Sequence, residues 1–169
     1  MSEIINKVAE SGLITIDLEA YYPEGERITF DIAPLLVEGL LLREKDFRTF
    51  IAEHNWSAYT GKHVALFCST DAIIPRWAWM LLSAALQPFA ATIVFGNAET
   101  LENVLFDRFL SQLNPDDYRD QRVVIKGCSH KPVPVQAYVK LTALLLTVVK
   151  SILYGEPCST VPVYKRPKA

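Results

Sequence analysis

With 169 residues, half of them apolar and 21% charged, the chain can fill one sizeable hydrophobic core and is too apolar for a disordered segment. A formal net charge of −2 and a pI near 5.9 imply no basic face of the kind that nucleic-acid binding uses. The opening residues, MSEIINKVAESG, show no basic region followed by an apolar run, and the longest greasy run, Leu141 to Val149, is too short to span a bilayer. A cytoplasmic protein with no membrane and no nucleic-acid partner is therefore expected.

After a polar start, Ser11-Gly12 reads as a turn, and Leu13 to Leu18 alternates with the period of a strand. Tyr21-Tyr22-Pro23 and Glu24-Gly25-Glu26 break it before a second strand candidate, Arg27 to Ile32. These two strands either pair as a hairpin or join a larger sheet at its edge. Ala33 to Gly39 is expected to form a short helix stopped by Gly39, with a short strand over Leu40 to Leu42. The spacing of Phe47, Phe50 and Ile51 predicts an amphipathic helix over Glu44 to His54, followed by a loop to Lys62 that contains Trp56 and Tyr59.

From Lys62 the pattern changes. Val64 to Phe67 is an unbroken apolar run, as in a strand covered on both faces. Pro75 suits a first helical turn, and Arg76 to Leu86 reads as a helix that Pro88 ends. Thr92 to Phe95 is a second apolar strand. Asn97 then caps a helix running to about Leu113, and Asn114-Pro115 stops it. Arg122 to Ile125 is a third apolar strand, ending in Lys126-Gly127-Cys128. A long helix is expected over Val135 to Tyr154, then a proline-rich extended tail from about residue 156.

Strands alternating with helices imply parallel pairing with right-handed crossovers. The expected fold is one α/β domain over residues 1–169: a three-layer open sheet with a parallel core at residues 62–127. The extra N-terminal strands would make that sheet mixed if they join it antiparallel. The helices at Arg76–Leu86 and Val135–Tyr154 are apolar almost all round, which suggests a homodimer.

Three cysteines are an odd number and lie far apart, so free thiols or metal ligands are expected rather than a disulfide framework. Ligands in open parallel sheets bind beyond the carboxyl ends of the strands. If strand 122–125 lies beside strand 64–67, about 4.8 Å away, Cys68 and Cys128 share one hollow. A helix of about 20 residues would carry Cys158 about 30 Å off. It could then join only through a returning tail or from a partner in a dimer. His130 or Asp71 would be a fourth donor, and zinc or an iron–sulfur cluster the guest. No C-x-x-C is present. The plainer reading is that each cysteine simply packs. Alternatively Cys68, ahead of a helix, is a nucleophilic thiolate with His130 as base. His63 sits at the opposite strand end, and His54 at a helix terminus. Ser69-Thr70-Asp71 can be read as a cap for the next helix. GxGxxG and GxxxxGK[ST] are absent.

The stretches ESGLITIDLE, REKDF, CSTDAIIPRWAWMLL, VVIKGC and YGEPCSTVP resemble the bacterial proteins grouped as domain of unknown function 2480. The likeness covers nearly the whole chain, and the last two motifs are its most specific part. The resemblance implies no activity and no catalytic residue. It implies gene neighbourhoods for sulfur mobilisation and iron–sulfur assembly, whose proteins would be partners. The matching positions are Cys68, Cys128 and Cys158, with Gly127 and Gly155 beside two of them. Three functions follow as expectations: a metal-binding or sulfur-handling accessory of iron–sulfur assembly, a dimeric interaction protein with buried cysteines, or a cysteine-nucleophile enzyme.

Overall fold

Twelve strands and helices can be assigned in a computed structural model that describes residues 6–8, 12–127, 130–156 and 158–169. They are β1 (Asn6–Val8), β2 (Leu13–Ile16), β3 (Arg27–Asp31), α1 (Glu44–Glu53), β4 (His63–Phe67) and α2 (Arg76–Leu86). Then come β5 (Thr92–Phe95), α3 (Ala98–Gln112), β6 (Arg122–Ile125), α4 (Val135–Leu145), β7 (Ser151–Glu156) and β8 (Ser159–Lys165). The α/β class and the mostly parallel strands agree with the sequence reading. Two compact units form: Glu24–Val104, and Met1–Pro23 together with Leu105–Ala169. Among the described residues no helix is long and apolar enough to cross a membrane.

In the unit Glu24–Val104, three parallel strands stand in the order β3-β4-β5. Strand order follows chain order, so right-handed crossovers place α1 and α2 on one face. Phe47 of α1 meets Trp77 of α2 edge-on at 6.0 Å. Phe30, Ile32, Val64, Leu66, Ala78 and Leu82 fill the core between sheet and helices. His63 to Leu66 of β4 are all buried, which accounts for the unbroken apolar run. His63 itself lies at the amino end of β4. Its Nε2 donates to the Glu24 carbonyl at 2.6 Å, which leaves Nδ1 to accept from the Thr92 hydroxyl at 3.0 Å. His54 caps the carboxyl end of α1, as expected, and packs among Phe30, Phe50, Trp56 and Tyr59.

The other unit has a mixed sheet, ordered β1-β2-β6-β7-β8. β2, β6 and β7 are parallel, while β1 and β8 run antiparallel at the edges. Ile14, Ile16, Val123, Ile125 and Ile152 meet Phe106, Leu110, Leu141 and Leu145 in its core.

Several expectations are corrected. β2 and β3 do not form a hairpin: β2 pairs with β6 and β3 with β4. Strand 122–125 does not neighbour strand 63–67, because β6 lies between β2 and β7 in the other sheet. Alternation of strands and helices reports parallel crossovers but not which sheet each strand enters. The segment 33–39 makes only a 3-10 turn at Ala33–Leu35, and Leu41 forms a single bridge to Val37. The helix expected to reach Tyr154 stops at Leu145, and Ser151–Glu156 is the strand β7. An apolar run such as LTALLLTVVKSILY fits a buried helix or a helix followed by a strand. The turn at 146–148 ends the helix, and Ile152 then sits in the strand. The tail is likewise tied down, as β8 along β7.

Candidate functional site

The carboxyl ends of β3, β4 and β5 converge on one rim. Asp31 closes β3, and its side chain reaches the turn after β4. Its Oδ1 accepts the Ala33 and Ser69 amides, each at 3.0 Å, and its Oδ2 accepts the Ser69 hydroxyl at 2.6 Å. Burial acts to raise the pKa of this carboxyl. The Ser69 hydroxyl and the two amides, which donate to the charged form, outweigh burial and hold it below the usual carboxylate range. The clamp fixes the backbone beside Cys68. The Cys68 sulfur lies 3.4 Å from the Thr70 hydroxyl. Ser69 and Thr70 are thus used within the rim and do not cap α2, which starts at Arg76 with no side-chain cap.

On the β5 side, Gly96 has φ +142°, and a Cβ there would come within 2.7 Å of the Thr100 side chain. Glycine is required for the chain to turn this tightly into α3. Asn97 Oδ1 accepts the Thr100 amide at 2.9 Å and its hydroxyl at 3.0 Å, the expected cap. Trp79 and Phe95 meet edge-on at 5.0 Å. Between these elements lies an open cleft of about 350 Å³, whose wall includes Cys68, Thr70, Ile74, Trp79, Phe95 and Asn97. That size and mixed lining suit a small ligand or a short side chain of a partner.

Of the candidate metal ligands that lie among the described residues, Cys68 alone lines this cleft. Asp71 is exposed on the loop beyond it. Cys128 lies outside the described residues. His130 is exposed, and its amide donates to Glu19 Oε1 at 2.9 Å. Cys158 is exposed in the turn between β7 and β8. No long helix carries it away: β7 runs parallel to β6, so Cys158 follows the same sheet end from which Lys126 and Gly127 leave β6. Cys68 is half-buried and packs against the core of its unit, while Cys158 is exposed. Among the described residues no three His, Cys, Asp or Glu side chains come together to hold one ion.

The sequence reading missed Asp31, Trp79, Phe95 and Gly96. Gly96-Asn97 ahead of a helix did signal a tight turn, but nothing local signals that Asp31 reaches Ser69.

These features define an α/β protein with a ligand-sized cleft at the carboxyl edge of a parallel sheet and the Cys68 thiol in its wall. The chain belongs to the family described as protein of unknown function (DUF2480), whose profile matches residues 2–166. No curated protein and no solved structure matches it.

Proposed function

We propose that the protein works through Cys68 as a single thiol that accepts and carries sulfur, in an accessory role to iron–sulfur cluster assembly. The observation that supports this is the position of the Cys68 sulfur in the wall of the cleft beyond the central strand β4. The gene neighbourhoods implied by the family resemblance point to the same chemistry. The step is a transfer from a persulfide donor R–S–SH. The Cys68 thiolate attacks the outer sulfur, a new S–S bond forms at Cys68, the donor S–S bond breaks, and R–S⁻ leaves. The proton stays on the transferred sulfur, and no external oxidant or reductant is needed.

Treatment with glutathione persulfide, followed by mass spectrometry of the intact protein and its peptides, tests this. The expected result is a gain of one sulfur atom on the Cys68 peptide, lost in Cys68→Ser and kept in Cys158→Ser. Equal loading of the exposed Cys158, or none on Cys68, defeats the reading. Metal analysis of the same samples, purified without added metal, tests the metal-binding alternative; metal that disappears in Cys68→Ser supports it.

A second reading, an interaction protein, draws on the apolar rim. Ile73 is 93% exposed and Phe95 67% exposed, and both are placed for a partner to cover. Failure of native Cys68 to react with iodoacetamide favours this reading.

A further inference from the structure

The most exposed residues of α4 are uncharged, and its one charged side chain, Lys140, flanks them 35% exposed and paired to Asp107. Val135, Gln136, Val139 and Ala143 face solvent, followed by Leu146 just past the helix end. Their three- and four-residue steps form one stripe along the helix. Val135 is 77% exposed and Val139 58%. The only charged residue of α4, Lys140, lies 3.0 Å from Asp107 of α3. A surface helix of a protein that works alone ordinarily carries charge on its outer face. Beside the stripe runs a groove of about 490 Å³ between α4 and the strands, with Val133, Tyr138, Ile152, Tyr154 and Val163 in its wall. Register sets Val161 opposite Tyr154, and these two with Val163 form an exposed apolar bank on its far side.

We infer that this face joins two copies of the chain, α4 against α4 about a two-fold axis, each helix lying beside the groove of the other. Three observations select a second copy. An uncharged face is self-complementary, because it meets its own copy without like-charge contacts. The sheet edge nearest this face, the outer edge of β8, is blunted against strand pairing by Pro162, which has no N–H to offer, and by Lys165. The area also suffices. At roughly 100 Å² for each of the six larger exposed apolar side chains, complete cover in two copies buries on the order of 1,000 Å², the lower bound for a specific interface. The dimer is therefore weak and sensitive to concentration. This inference is independent of Cys68.

Sedimentation velocity of the full chain across a concentration series, up to on the order of 100 µM, tests it; dissociation constants of this order belong to the smallest specific interfaces. Wild type is expected to pass from monomer to dimer. Val139→Glu places two like charges on the axis and is expected to weaken association on the order of a hundredfold. Ile73→Glu, in the other unit, is expected to leave the dimer unchanged. Circular dichroism shows that each variant is folded, and Val135→Lys replaces Val139→Glu if that variant is not. A wild type that stays monomeric overturns the inference. So does a dimer that survives both α4 variants, or one that Ile73→Glu dissolves. A monomer that instead sediments with phosphatidylcholine–phosphatidylserine vesicles overturns it in favour of a lipid surface.

Discussion

Asp31→Ala removes three hydrogen bonds to a carboxylate that joins the end of β3 to the turn after β4. In a sheltered site each such bond is worth about 1.5–3 kcal/mol. Ser69 is exposed, so water replaces part of what is lost, and solvent screening lowers the total to about 2 kcal/mol. For a chain of this size that lowers the thermal midpoint by about 4–8 °C. Asp31→Asn keeps an acceptor for the two amides and is expected to lose about half as much. The clamp also depends on pH. The folded-state pKa of Asp31 lies below the unfolded value of about 3.9, so its contribution is complete above that value. It disappears as pH falls through the folded value. Melting followed by circular dichroism at neutral pH and at about pH 3 should therefore show a gap between wild type and Asp31→Asn that narrows in acid. Alkylation of Cys68 by iodoacetamide should quicken in Asp31→Ala, because the backbone beside the thiol loses its anchor. A midpoint within about 1 °C of wild type at neutral pH refutes the argument that this carboxylate holds the rim together.

The buried Tyr118 hydroxyl is pushed above the ordinary tyrosine value, first by burial and then by Tyr21 and the Asp117 charge. Its contribution to stability is complete below about pH 10 and is lost as pH rises through the folded value. Alkaline unfolding should accompany the rise of tyrosinate absorbance and move to higher pH in Tyr118→Phe; an unmoved midpoint sinks this assignment. Gly96→Ala forces a Cβ against Thr100 in a backbone conformation that side chains rarely adopt, at a cost of about 1–3 kcal/mol. Urea denaturation showing less than about 0.5 kcal/mol would mean that the turn into α3 is not tight.

Local order was legible in the sequence. The bounds of α2, β5 and β6 follow directly from apolar runs set between proline, glycine and asparagine, and Asn97 caps α3 as its side-chain chemistry requires. Pairing was not legible. An apolar strand such as RVVI fits beside any other, so nothing in it chose β2 and β7 over β4. The shared hollow for Cys68 and Cys128 rested on that choice. The end of α4 was hidden because both of its possible continuations are apolar. The Asp31 clamp joins residues far apart in the chain, a contact no local pattern encodes. The apolar composition of α4 was legible, and its side away from the core leaves Val135 and Val139 exposed.

The pairing of Leu13 with Arg122 sets an order on synthesis. β2 emerges from the ribosome early and has no parallel neighbour until Arg122–Ile125 is made, while β3, β4 and β5 follow one another closely. The inner segment can thus mature on the nascent chain while Leu13–Ile16 waits, unpaired on one side and in need of protection from stray strands. The β7–β8 hairpin, made after β6, then completes the same sheet on the side away from β2.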